Sequence, residues 1–218
     1  MFVFANGWIF SHAVLDIYSS QDGDGNKVVR TLEAECRRVS ARYDSLFTKE
    51  AVNALHDMDS AVRESVRLNG VVARIMPFNV ISGDAIELSH GVRIPAGSDV
   101  RSVYPVRMVH LDPDLYPNAE QFDAFRFSRE FDLTNLRGDF SAAVRETTTT
   151  ISTSFLPFGY GRHACPGRWY ATLLVKQALG HVLLNYNVQV LNKPTKKTSI
   201  LHFMAPPQST KLLVTAKF

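Results

Sequence analysis

A glycine-rich turn that ends in a cysteine constrains this chain more than any other feature. The run is Phe158-Gly159-Tyr160-Gly161-Arg162-His163-Ala164-Cys165-Pro166-Gly167, and an apolar helical pattern follows it at once. Gly159 and Gly161 permit backbone angles that other residues disfavour. A cysteine at the mouth of a helix lies near the positive end of the helix dipole, which favours the thiolate. The pattern therefore predicts a tight loop that presents Cys165 as a thiolate ligand.

The chemistry of such a loop suits a ligand to haem iron. Backbone N–H groups in the turn can hydrogen-bond the sulfur and adjust the electron density that it donates to the metal. We expect Phe158 to pack beside the sulfur and keep water away, and His163 to direct a donor toward a haem propionate. Gly167 has no side chain, so the backbone there can approach a flat macrocycle closely.

This run resembles the cysteine loop of the cytochrome P-450 superfamily, the haem-thiolate monooxygenases. The wider run 156–171 resembles the fungal microsomal branch. Six positions fall on the family pattern: Phe158, Gly159, Gly161, His163, Cys165 and Gly167. A lone loop cysteine is usually just a small hydrophobe, but six matches at fixed spacing argue against that here. The resemblance implies haem b with the Cys165 thiolate as axial ligand, and these cofactor-binding residues: Phe158, Gly161, His163, Gly167 and Arg74. The alternative for Arg74 is an ordinary exposed arginine.

A second constellation lies on the helix predicted over 58–68. Glu64 and Arg67 are one helical turn apart and can pair. The run 55–69 resembles the family's Glu-x-x-Arg helix, and Arg126 matches the arginine that completes its network before the cysteine loop. A buried glutamate between two arginines is costly to break, so the implied role is structural: it locks the loop scaffold without joining the chemistry. The alternative for Glu64 and Arg67 is an exposed surface pair.

Composition and charge limit the classes of partner and compartment. The 218 residues are 45% hydrophobic with a formal net charge of +3, and the basic excess is spread along the chain, which argues against a nucleic-acid partner. The two cysteines, Cys36 and Cys165, form no disulfide framework, which favours a reducing compartment. The apolar start, 1–17, lacks a basic leading region and has polar interruptions. We therefore expect a buried helix rather than an anchor. Family members are typically anchored in the endoplasmic reticulum membrane; without an anchor, a cytoplasmic or peripheral location is expected.

The order of elements predicts a mainly α fold with a small β-sheet. By resemblance this is the carboxy-terminal half of the cytochrome P-450 fold, as one domain over 1–218, with a distal-helix remnant at 1–19, the cysteine loop at 156–167 and a following helix at 168–185. Further helices are predicted at 27–39, 48–55 and 103–110, and strands at 71–80, 85–88, 188–191, 200–203 and 212–215. The polar segment 128–154 is predicted to be an exposed loop insertion. One face of the helix at 168–185 is marked by Leu173, Leu174, Ala178, His181, Val182 and Asn185.

The distal-helix remnant departs from the family pattern. Ala5 matches the small position, but Trp8 falls on the acid-or-amide position and Ile9 on the threonine that relays protons to bound dioxygen. Ser11 follows two residues later, on a different side of the helix. A water chain could replace the threonine, because proton transfer needs a donor within reach and not one particular side chain. We therefore assign no catalytic residue.

The function implied by the resemblance is insertion of one oxygen atom from dioxygen into a hydrophobic small molecule, as in secondary-metabolite biosynthesis. An NADPH-dependent flavoprotein reductase would donate the electrons. Ile9 and the shortness of the chain relative to family members raise an alternative: a truncated, non-catalytic haem-binding remnant, or half of a split enzyme with a second chain. A haem sensor that uses only Cys165-Pro166 is the weakest hypothesis, because it leaves Phe158, Glu64 and Arg126 unexplained.

Overall fold

The computed structural model describes residues 2–20, 26–70, 76–80, 83–102, 106–129, 146–192, 198–200 and 203–217. The α-helices in these ranges are α1 (Phe2–Ser19), α2 (Lys27–Tyr43), α3 (Lys49–Asn53), α4 (His56–Leu68), α5 (Val106–His110) and α6 (Arg168–Asn185). The strands are β1 (Met76–Asn79), β2 (Ile86–Glu87), β3 (Arg93–Ile94), β4 (Asp99–Ser102), β5 (Tyr186–Val190), β6 (Thr198–Ile200), β7 (Phe203–Ala205) and β8 (Leu212–Ala216). They pair antiparallel as β1–β4, β2–β3, β5–β8 and β6–β7. The predicted fold class, mainly α with a small amount of sheet, is confirmed.

Local sequence explains where the helices begin and end. α2 buries Val28, Leu32 and Val39 on one side, and its C-cap is Asp44, which has a left-handed φ of 57°. α3 begins at Thr48, whose side-chain oxygen accepts a hydrogen bond from the N–H of Ala51 at 3.2 Å. That contact satisfies one of the unpaired donors at the helix start, as an N-cap does.

The core lies where α1, α2, α4 and α6 meet, and α4 contacts all three of the others. Its fully buried apolar side chains include Ile17, Leu32, Leu55, Met58, Leu179 and Leu183. Burial of one such side chain stabilises a fold by about 1.5–3 kcal/mol. The predicted buried helix at the start of the chain is buried mainly in its second half, since Ile17 is inaccessible while Phe4 is 59% exposed. No helix in the part of the chain that the structure describes has both the length and the apolar character needed to cross a bilayer.

One prediction about exposure is wrong, and the residues marked on one face of α6 do not coincide with its buried side. The described end of the segment 128–154 is not simply an exposed loop: within 146–150, which we call the threonine segment, Thr148 is fully buried. Its N–H and hydroxyl both bond to Asp59 of α4, so this polar residue is satisfied inside the fold. The buried side of α6 also differs from the predicted face. It consists of Ala171, Thr172, Val175, Lys176, Leu179, Gly180 and Leu183, whereas Ala178, His181 and Asn185 are exposed.

Candidate functional site

The cysteine loop is closed by its own backbone. The N–H of Cys165 donates to the carbonyl of Phe158 at 2.7 Å, and the N–H of Gly159 donates to the carbonyl of Leu156 at 3.0 Å. Gly159 and Gly161 have φ values of 77° and 67°, in the left-handed region that favours glycine. The run between Phe158 and Cys165 therefore reverses direction within a few residues and delivers the cysteine to the start of α6.

The two cysteines have opposite environments. Cys165 is an exposed free thiol, while Cys36 is fully buried in the core. Burial raises the pKa of the Cys36 thiol to about 12, with the nearby carboxylates of Glu35 and Glu33 acting in the same direction. A protonated, enclosed thiol cannot reach a ligand, so Cys165 is the residue of this chain that could hold a metal through sulfur.

The other predicted cofactor contacts fall in different places. Phe158 is partly buried and packs against the core, beside the loop that carries Cys165. Gly167 caps the start of α6 with φ −83°, an angle that any residue can adopt. Glycine would be needed there only where a cofactor approaches the backbone too closely to leave room for a side chain. Arg74 and the side chain of His163 lie outside the described residues.

These observations fit a haem-thiolate site as far as the described residues extend. The donor is a single soft sulfur, as haem iron of this type requires, and it is exposed at a helix N-terminus where negative charge is favoured. Residues that would hold the cofactor are Cys165 through its sulfur, and Phe158, Gly161 and Gly167 through their position in the loop.

Glu64 lies between Arg67 and Arg126 in a buried network. Arg67 donates Nε to Oε2 of Glu64 at 2.7 Å and Nη2 to Oε1 at 2.8 Å, and both side chains are fully buried. Arg126 donates Nε to Oε1 at 3.1 Å, and the N–H of Asp123 donates to the same oxygen at 3.2 Å. The two arginines also donate to carbonyls of the segment between α5 and Arg126: Arg67 to that of Ala119, Arg126 to that of Pro117.

His110 extends this network to the cysteine loop. The N–H of Leu156 donates to its Nε2 at 2.9 Å, so Nε2 is an acceptor and Nδ1 donates to the carbonyl of Arg67, also at 2.9 Å. Burial lowers the pKa of His110 to about 4, which keeps the ring neutral as this arrangement requires. Sequence reasoning missed this connection between His110 and the cysteine loop.

A model of the cytochrome P450 family matches residues 26–214. The chain belongs to the cytochrome P450 family. Cytochrome P450 monooxygenase htyF of Aspergillus rugulosus is 34% identical over 200 residues, which are 90% of this chain and 29% of that protein. Cytochrome P450 monooxygenase gloP of Glarea lozoyensis is 30% identical over 213 residues, 94% of this chain and 38% of the relative. Cytochrome P450 monooxygenase fsoD of Humicola fuscoatra is 38% identical over 157 residues, which are 68% of this chain and 27% of that protein. The chain thus spans about a third of the length of the curated relatives it matches.

Positions 9 and 11 of α1 offer no free hydroxyl. Ile9 is buried in the core. The hydroxyl of Ser11 donates to the carbonyl of Gly7 at 2.7 Å, within its own helix. Trp8 packs on Phe4 with ring centroids 4.3 Å apart. The assignment of α1 as the distal helix stays a prediction, because the family match begins at residue 26, after the end of α1.

Sequence reasoning also missed a set of buried charges around the threonine segment. Asp59, Arg63 and Lys176 are each almost completely enclosed, and Arg168 contacts the backbone of the cysteine loop. In the sequence, charged residues at these spacings are typical of a solvated helix face. The signal that could have indicated their burial was the density of charge among the apolar residues of α4.

Proposed function

We propose that this chain forms the haem-thiolate part of a monooxygenase, with Cys165 as the axial ligand. The observation that carries this proposal is the exposed thiol of Cys165 at the start of α6, in a loop closed by the contact between its N–H and the carbonyl of Phe158. The relatives named above are all called monooxygenases, which supports the same reaction class.

The substrate class is a hydrophobic small molecule of secondary metabolism, and the electron donor is an NADPH-dependent flavoprotein reductase. Haem bound at the thiolate would supply the oxygen and electron chemistry, which belongs to the cofactor. The chain's own task is to keep the sulfur in place. The left-handed glycines shape the loop, Phe158 shields one side of it, and the buried network of Glu64, Arg67 and Arg126 fixes the segments that lead to it.

The carbon monoxide difference spectrum of the haem-loaded chain tests the ligand. The parent chain and Cys36→Ala should both show a reduced Soret band at the thiolate position, whereas Cys165→Ala should lose it. Cys36→Ala is the matched control because it removes the other sulfur, which lies in the core. A thiolate band that persists in Cys165→Ala would remove Cys165 from the site.

A second candidate is a haem-binding part that needs another polypeptide for turnover. The contacts of Ile9 and Ser11 favour it, since neither offers a free hydroxyl for proton delivery. A parent chain that shows the thiolate band, yet turns over no substrate with a reductase, would support this candidate. Turnover by the purified single chain would exclude it.

A further inference from the structure

A second group of buried charges lies on the side of α4 that faces α6. Asp59 and Lys176 form an ion pair of 2.9 Å, and both side chains are almost fully buried. The carboxylate of Asp59 accepts a hydrogen bond from the N–H of Thr148 at 2.8 Å, and its carbonyl accepts one from the Thr148 hydroxyl at 2.9 Å. Asp59 therefore joins α4, α6 and the threonine segment.

Arg63 holds the same segment one helical turn further along α4. Its Nη1 donates to the carbonyls of Thr147 and Thr150, the second at 2.9 Å, and its Nη2 contacts the carboxylate of Glu146 at 2.5 Å. The ring of Phe155 covers the guanidinium, with its centroid 3.8 Å from Cζ. The threonine segment is thus fixed to α4 at two points.

Arg168 joins the threonine segment to the cysteine loop. Its Nε donates to the carbonyl of Thr149 at 3.1 Å, and its Nη1 donates to the carbonyl of Cys165 at 2.7 Å. The guanidinium lies on the ring of Trp169, with Cζ 3.5 Å from the centroid. A planar fork of donors can bridge two carbonyls in fixed geometry, whereas a lysine ammonium on a flexible stem cannot.

We propose that Asp59, Arg63, Lys176 and Arg168 form a second positioning cluster for Cys165. It acts along a continuous path: α4 and α6 hold the threonine segment, and Arg168 transmits that position to the carbonyl of the ligand residue. The Glu64 network reaches the loop by different hydrogen bonds, through His110 and Leu156, and the ring of Phe155 contacts both networks at Arg63 and His110. The role of this cluster in holding the haem ligand rests on the proposed function, whereas its effect on the conformation of the cysteine loop does not.

Amide hydrogen exchange in the haem-free chain tests the last step of the path. In Arg168→Lys, which keeps the charge, exchange of the peptide 158–170 should become about tenfold faster, because loss of one ordinary hydrogen bond removes about 1.4 kcal/mol of local protection. Arg162→Lys is the matched control, since Arg162 lies in the same loop but is exposed. Equal exchange in parent chain and Arg168→Lys would overturn the proposal, as would an increase spread over all helices.

Lys176→Met tests the beginning of the path. It leaves the Asp59 carboxylate buried without its cation, so exchange should increase both in the threonine segment and in the cysteine loop. The double variant Asp59→Asn/Lys176→Met removes both charges and should restore part of the protection. Faster exchange that stays within the threonine segment would show that the cluster supports local structure only, and would overturn its positioning role.

Haem-loaded protein supplies a spectroscopic readout. The thiolate band of the carbon monoxide complex should decay about tenfold faster in Arg168→Lys than in the parent chain or in Arg162→Lys, since the same bond is lost. An unchanged decay rate would overturn the proposal. If the parent chain shows no thiolate band at all, the proposed function fails, while the exchange experiment still decides the role of Arg168.

Discussion

Replacement of Glu64 by glutamine should destabilise the fold far more than the same replacement at an exposed ion pair. Glu64 carries a buried negative charge that accepts from two guanidinium groups and one backbone N–H. Glutamine has nearly the same shape, but the change removes the charge and replaces one acceptor oxygen by an NH2 donor that faces an arginine N–H. It leaves Arg67, which is fully buried, without its counter-charge.

The magnitude follows from burial. Removal of one partner from a buried ion pair costs about 3–5 kcal/mol. Arg67 keeps two other acceptors, the carbonyls of His110 and Ala119, which places the expected loss near 3 kcal/mol, the lower end of that range. The matched control is Glu33→Gln, whose side chain is 21% exposed and pairs with Arg37, 61% exposed, and with Lys217, 22% exposed. Because solvent reaches all three side chains, its expected cost is about 1 kcal/mol.

Urea unfolding of the haem-free chain, followed by far-ultraviolet circular dichroism, measures both variants. The expected order of free energies of unfolding is parent, then Glu33→Gln, then Arg126→Gln, then Glu64→Gln, because the Arg126 side chain is partly exposed and loses less on replacement. If Glu64→Gln costs no more than Glu33→Gln, the reasoning from buried charge is wrong for this network.

Two further predictions concern pH and backbone conformation. Burial raises the pKa of Glu35 from 4.5 to about 7, against three backbone N–H donors at the start of α4, and lowers that of His110 from 6.5 to about 4. Folding therefore takes up a proton at Glu35 between pH 4.5 and 7 and releases one at His110 between pH 4 and 6.5, and these contributions to stability nearly cancel. In Glu35→Gln, the free energy of unfolding should increase by about 1.4 kcal/mol from pH 5 to pH 6. In His110→Gln, it should decrease by as much over the same range. Urea titrations in which the dependence of the free energy of unfolding on pH is the same as in the parent chain would contradict this. Gly161→Ala, at φ 67°, should lower the free energy of unfolding by about 1–2 kcal/mol. Gly7→Ala, in a helix with open space around it, should raise it by about 0.5–1 kcal/mol. Equal effects of the two variants would contradict the argument from backbone strain.

Helices could be predicted from the sequence where polar and apolar residues repeat with helical spacing. α2 shows this, because its charged exposed side leaves only one side to bury. α6 does not, because apolar residues occur all round it and spacing cannot select a face. Packing against α1, α2 and α4 decides that Val175, Leu179 and Leu183 are buried rather than the predicted face.

The candidate site also has a part that could be predicted from the sequence and a part that could not. Cys165 and its glycines are contiguous, so their loop could be predicted from local conformational preferences. Asp59 and Arg63 could not be recognised as buried, since a charged residue in a sequence is usually solvated. Their partners are Lys176, Glu146 and backbone groups of the threonine segment, all more than eighty residues away along the chain, and only the fold brings them together.

The burial of α4 explains why both networks begin on this helix. Every residue from Met58 to Leu68 is buried, although several are charged or polar. Burial of an unpaired charge costs several kcal/mol, so each side of the helix needs its own partner. Glu64 and Arg67 face the segment before Arg126, Asp59 and Arg63 face the threonine segment, and the hydroxyl of Ser65 donates to Asp16 of α1. These surroundings must therefore adopt their positions together, because a helix with one side unsatisfied is strongly destabilised. We infer that the charges of α4 fix the placement of the cysteine loop as well as the helix itself, so Glu64→Gln and Lys176→Met should loosen that loop and lower the urea midpoint of the helices in the same transition.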